Sequence, residues 1–246
     1  MQFISLNSGS NANATLVISG DQVILIDVGL AHPDLTQRIS QCGYSWNDIQ
    51  AVLITHEHSD HIRALPYIRP DLIYASNGTV KIYPENELVP YQRRLIAGFD
   101  ILPIPNSHDA ANPVGFVISD GEETLVYVTD TGYIHENNVE VMRNAHYYFF
   151  ESNYDVRLLV SSRRPQILKN RIMSPLGHLS NNEAALLLSR MVGPNTKKIV
   201  LAHISEEANR PELAIETFYE IFKDQGISSE HFDVIAASRY EITRGN

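Results

Sequence analysis

The chain has 246 residues, of which 43% are hydrophobic, and a formal net charge of −10. That length and apolar content build an ordinary core without staples. The single cysteine, Cys42, excludes an intramolecular disulfide and points to a reducing compartment. The acidic balance weighs against nonspecific nucleic-acid binding, which depends on basic surface.

The N-terminal stretch MQFISLNSGSNANATLV lacks the basic and apolar regions of a signal peptide. No apolar run approaches the ~18 residues of a membrane helix. A cytoplasmic location is therefore expected. Residues 14–18 (ATLVI) and 23–27 (VILID) read as strands around a turn at Gly20–Asp21. Residues 34–42 read as a helix ending near Gly43, and 51–55 (AVLIT) as a buried strand. A helix over 60–68 and a strand over 72–75 follow. Further strands are expected at 100–104, 114–118, 124–129, 147–150 and 198–202, and helices at 181–192 and 211–224. There is no repeat, low-complexity tract or linker. Two strand-rich halves suggest one α/β domain over 1–246, with two packed sheets and helices outside.

The segment THEHSDHI (55–62) packs His56, His58, Asp60 and His61 into one loop directly after a strand. Histidine is the commonest metal ligand. Two histidines two residues apart project the same way from an extended loop, and Asp60 and His61 open the next helix, where they can turn toward a second ion. Asp27, Asp130, Glu151 and His203 likewise close apolar strands (VILI, TLVYVT, YYFF, KIVLA), and catalytic groups collect on loops carried by such a scaffold. His108 and the carboxylate of Asp130, which can bridge two ions, are available to complete the shells. The isolated His32, His135, His146 and His231 read as ordinary surface or core residues.

With these residues the sequence resembles the metallo-β-lactamase fold superfamily. THEHSDH matches its HxHxDH motif, and SHDA, TDTG and LAHIS match its later histidine, aspartate and final histidine, in order. SGSNANATLVI, LIDVGL, ESNYD, ILKNRIMSPLGHLSN and LAHISEEANRPELA look more specifically like the YycJ/WalJ type, bacterial members associated with exonuclease activity on DNA. The resemblance implies a four-layer αββα sandwich with a dinuclear site at one sheet edge. His56, His58 and His108 would hold the first metal, Asp60, His61 and His203 the second, and Asp130 would bridge. The metals implied are two divalent ions, with Zn, Mn and Fe all suited to His/Asp donors. Three positions depart from the pattern: Ala12 for a glycine, Tyr154 for a histidine, and Arg63 for a glycine.

Two ions ~3.5–4 Å apart suit phosphodiester hydrolysis. A leaving alkoxide still needs a proton, and His178 in GHLSN, oriented by Glu151, is the residue the resemblance offers. His178, Glu151 and Asp60 are the catalytic candidates. Asp27 reads as a carboxylate supporting the ligand loop. Ser8, Ser10 and Asn13 read as a turn, or as donors to a phosphate. Residues 156–172 carry Arg157, Arg163, Arg164, Lys169 and Arg171 without an acid, which offers a path for a nucleic-acid backbone despite the net charge. The leading expectation is a 5′→3′ DNA exonuclease. A phosphodiesterase on a small nucleotide-like substrate, a thioester, lactam or lactone hydrolase, and a metal-stabilised binding protein are the alternatives.

Overall fold

The computed structural model describes residues 1–246. In chain order the strands and helices are β1 (Gln2–Asn7), β2 (Ala14–Ser19), β3 (Gln22–Ile26), α1 (His32–Gln41), β4 (Ala51–Ile54), α2 (Ser59–Ile62), β5 (Ile73–Ala75), β6 (Arg94–Ile96), β7 (Phe99–Pro105) and β8 (Val114–Ser119). There follow β9 (Thr124–Val128), α3 (Glu136–Met142), β10 (Tyr147–Glu151), α4 (Val156–Ser161), α5 (Gln166–Ile172), α6 (Asn181–Met191), β11 (Lys198–Ala202), α7 (Pro211–Asp224), β12 (Asp233–Ala236) and β13 (Thr243–Arg244). The chain divides into two compact units. The first comprises residues 1–105, 110–123 and 238–246, and the second residues 106–109 and 124–237. No helix is long and apolar enough to cross a membrane.

In the first unit β13, β1, β2, β3, β4 and β5 form one sheet in that order. Ser19 pairs with Gln22, so β2 and β3 close on a two-residue turn whose Gly20 adopts the positive φ such turns require. From β3 onward the pairing is parallel. The run Val52–Ile54 is buried on both faces, which is why it reads as continuous apolar sequence rather than alternation. Leu35 and Ile39 of α1 cover this core. Ile26 is the register partner of Leu53, so the chain leaving β3 and the chain leaving β4 emerge side by side. An antiparallel meander, β6-β7-β8, completes the unit.

In the second unit β9, β10, β11 and β12 are parallel neighbours. Val128, Phe150, Leu201 and Ala236 lie in one row, so the residues that follow them all leave the same edge. Tyr127 stacks on Phe149 with ring centroids 4.8 Å apart. The Tyr148 hydroxyl donates to the carbonyls at the ends of α3 and α6, Met142 and Met191, which fixes both helices to the sheet. Helix α6 begins with a capping box between Ser180 and Glu183. Phe218 and Phe222 of α7 stack on each other, centroids 4.0 Å apart, and Phe232 meets both edge-on.

Some elements differ from the sequence expectation. The helix over 60–68 is one turn, Ser59–Ile62, followed by a separate 3-10 turn at Leu65–Tyr67. Pro66 supplies no amide to continue the α-helical ladder from Ile62. Strand β1 was not anticipated, because its burial on both faces leaves no alternation to read. Nor were α3, α4, α5, β6, β12 and β13, which are short; α4 and α5 are separated by the break Ser162–Pro165.

Candidate functional site

In the first unit the parallel exit of β3 and β4 sets Asp27 against the ligand-rich loop. Asp27 is fully buried, and its carboxylate accepts from the Thr55 amide at 2.9 Å and from the Thr55 hydroxyl. His61 Nδ1 lies 2.7 Å from Asp27 Oδ2. A ring nitrogen facing a carboxylate this way carries the hydrogen, which turns Nε2 into the donor atom offered to a ligand. His56 packs against His58 and His61, with ring centroids 4.6 and 4.1 Å apart. Asp60 Oδ2 is 3.5 Å from His61 Nε2. Gly29 makes this approach possible: a Cβ there would fall 1.6 Å from the Asp60 carbonyl oxygen.

Asn13 is buried beside the same loop. Its amide exchanges hydrogen bonds with the Gly9 backbone, and its Nδ2 lies 3.0 Å from His61 Nε2. Ser8 is buried and Ser10 exposed. Ala12, one of the departing positions, is buried, and its carbonyl accepts from Asn7. Arg63 is exposed at the end of α2.

In the second unit one carboxylate organises the strand edge. Glu151 is fully buried at the end of β10. Its Oε1 receives His178 Nδ1 at 2.9 Å and His203 Nδ1 at 2.8 Å, with the Asp130 amide at 3.3 Å. Its Oε2 accepts from the Thr131 and Leu179 amides. Burial would raise the pKa of this acid, but the charges and hydrogen bonds of His178 and His203 outweigh it and pull the group down to about 2. Asp130, Glu151, His178 and His203 present ligand-type atoms all within 4.8 Å of one another. His108 points Nδ1 at the Gly177 carbonyl, 3.0 Å away, and its Nε2 is 3.9 Å from Asp130 Oδ1. Burial pushes the His108 pKa below its usual value, against the pull of Asp130, so the ring is held in the neutral form that a ligand requires.

The donors within each unit are of the kind that hold divalent cations. His61, His108 and His203 each commit Nδ1 to a carboxylate or carbonyl oxygen, which fixes the ring and directs Nε2 outward. The backbone supports the same reading. Asp27, Asp130 and His203 all adopt left-handed φ, at 59°, 55° and 54°. Such conformations cost about 1–3 kcal/mol each in a non-glycine residue and cluster at functional sites.

Sequence reasoning missed several supporting residues. Thr55 and Thr131 are read from contacts across the fold, not from any motif. Asn153, Asn181 and Asn209 form a buried amide network with Ser152: Asn209 bridges the Ser152 and Asn153 carbonyls and the Asn181 side chain, and Asn153 Nδ2 donates to the His203 carbonyl. This network ties together the strings ESN, LSNN and EEAN. Tyr154, the second departing position, is buried with Leu159, Ile172 and Ala208, so it belongs to the core beneath α4 and α5.

The basic segment 156–172 is less available than its composition suggested. Lys169 is 8% exposed, and its ammonium donates to the Val160 and Ser162 carbonyls at the end of α4. Arg164 pairs with Glu207 and Arg171 with Asp109. Arg157 and Arg163 are the exposed bases without such an ion pair.

A profile of the beta-lactamase superfamily domain matches residues 22–204. The chain is 32% identical over 248 residues to an exodeoxyribonuclease YycJ of Bacillus anthracis, covering 95% of this chain and 94% of that protein. It is 33% identical over 224 residues to an exodeoxyribonuclease WalJ of Streptococcus pneumoniae, covering 85% and 83%. In structure it resembles the metallo-beta-lactamase fold protein YhfI of Bacillus subtilis, with a TM-score of 0.73 at 17% identity over 100% of both chains, which shows the fold. The chain therefore belongs to the beta-lactamase superfamily, as a metal-dependent hydrolase with the α/β metallo-β-lactamase fold.

Proposed function

We propose that this hydrolase cleaves phosphodiester bonds in DNA as a 5′→3′ exonuclease, and that the 246 residues act as one domain. His56, His58, Asp60, His61, His108, Asp130 and His203 would hold two divalent ions, with Zn, Mn or Fe all compatible with the donors. The names of the two relatives, at 32% and 33% identity, support DNA as the substrate.

The observation that carries the reading is the pair His178–Glu151. Bound divalent ions supply a nucleophile at neutral pH and offset charge on the phosphoryl oxygens. The remaining need is a proton for the departing alkoxide. His178 meets it from this chain: Nδ1 is fixed on an ionised carboxylate, and the side chain is 20% exposed, so Nε2 can reach a substrate. Glu151, anionic well below neutral pH, stabilises the cationic ring before the proton leaves Nε2 and orients it throughout. Thioester hydrolysis expels a thiolate, which has less need of such an acid.

A small phosphodiester is the second reading. The net charge of −10 and the internal pairing of Arg164, Lys169 and Arg171 favour it. End-labelled single- and double-stranded DNA and RNA, incubated with chelated protein to which Mn²⁺, Mg²⁺ or Zn²⁺ is restored, separate the two. Stepwise shortening of DNA from its 5′ end supports the proposal. Turnover of small diesters with all polynucleotides left intact overturns it.

A further inference from the structure

We propose that His32, Trp46 and Tyr67 form a stacking platform for unpaired bases of single-stranded DNA, an inference that rests on the nuclease reading above. The three rings come from separate parts of the first unit. His32 opens α1 and stacks on Trp46 with centroids 5.6 Å apart and planes 7° from parallel. Tyr67 meets His32 at 4.7 Å and 32°. The indole is locked in place because its Nε1 donates to Thr36 Oγ1 at 2.8 Å, and Thr36 in turn donates to the His32 carbonyl. Tyr67 is 69% exposed, which leaves its outer face open to a ligand.

The platform is continuous with the ligand loop. The Val28 amide donates to the His61 carbonyl, and the Ala64 amide donates to the Val28 carbonyl. Those bonds bind the segment leading to His32 alongside the segment leading to Tyr67. His32 follows Asp27 by five residues and Tyr67 follows His61 by six. Even fully extended, such lengths span at most about 20 Å, a reach of a few nucleotides. The exposed Arg63 lies between His61 and Tyr67, where it can meet a phosphate.

Charge explains why stacking suits this chain. A surface of net −10 gains little from the general attraction to phosphate. Aromatic faces bind any base, in any sequence, which an exonuclease walking along a strand requires.

Trp46 is the only tryptophan, so its fluorescence reports the platform directly. The titrant is a short single-stranded oligodeoxynucleotide in Ca²⁺, which suppresses cleavage, and an abasic strand of equal length is the comparison. Quenching by the base-bearing strand is expected, with affinity about 10-fold weaker in Tyr67→Ala and His32→Ala and retained in Tyr67→Phe. The abasic strand should bind weakly and equally to all four proteins. Equal affinity for both strands, or unchanged affinity in Tyr67→Ala, overturns the platform. If wild type degrades single-stranded DNA while either of those results holds, the platform alone is wrong. If wild type neither binds nor degrades any polynucleotide, the nuclease reading falls and takes the platform with it.

Discussion

His178 and His203 rest their Nδ1 atoms on the same oxygen of Glu151, at 2.9 and 2.8 Å. One carboxylate thus orients both the ring offered as a proton donor and a ring offered as a metal ligand. The two tasks cannot be altered independently through Glu151.

Glu151→Gln tests this coupling. The amide keeps one oxygen and places donors where ring N–H and backbone N–H groups arrive. Loss of such a supporting contact typically weakens metal affinity by ~10–100-fold. Bound metal after dialysis should fall together with DNA cleavage. Full metal content with a near-normal rate would show that Glu151 organises neither ring.

His178→Ala separates the proton donor from the ligands. Metal content should stay at the wild-type level while the rate on DNA falls by ~10²–10⁴. With a nitrophenyl phosphodiester the loss should shrink, because that leaving group departs without a proton. Equal losses on the two substrates would mark His178 as structural.

Asp130→Asn and His61→Ala remove donors from different units. Both should lose metal, as measured by elemental analysis of purified protein, and with it nearly all hydrolysis. Two ions per chain in either variant would count against the seven-residue ligand set.

The basic segment makes a divided prediction. Reversing charge at Arg157 and Arg163 should flatten the slope of log affinity against log salt by ~0.9 per lost contact on duplex or ~0.7 on single strands. Lys169→Met should leave the slope alone but destabilise the fold by about 1–3 kcal/mol, since the Val160 and Ser162 carbonyls lose their donor. An unchanged slope in the arginine variant would make the segment a solvated face.

Asp120 predicts part of the acid limb of stability. Burial alone would raise its pKa, but the Glu123 and Glu122 amides, the Met1 ammonium and the Ser19 hydroxyl outweigh it and hold the group at about 2, against an ordinary value of 3.8. A carboxyl depressed by folding stabilises the native state fully above its unfolded pKa. That contribution is lost as pH falls from 3.8 through about 2. Urea midpoints of wild type should therefore drop across this window, and those of Asp120→Asn should drop less. Parallel curves would deny Asp120 the role.

The sequence by itself determined the residue types and their local spacing. His56, His58, Asp60 and His61 are neighbours in the chain, so their grouping needed no fold. The strands ending at Ile26, Ile54, Val128 and Ala202 were legible because apolar runs stop abruptly at polar residues. Only the tertiary structure decided which oxygen each ring meets. The 27-residue separation of Glu151 and His178 and the 52-residue separation of Glu151 and His203 are closed by parallel register and by the buried Asn153–Asn181–Asn209 amides, and neither leaves a periodic trace. The left-handed turns at Asp27, Asp130 and His203 were likewise invisible, since that conformation is imposed on ordinary residues by their surroundings. The same holds for charge: five basic residues in a row of seventeen looked like a binding face, and burial of Lys169 with pairing of Arg164 and Arg171 committed three of them to the fold. Composition counts charges, but a Coulomb partner is a matter of distance, and distance between remote residues exists only once the chain has packed.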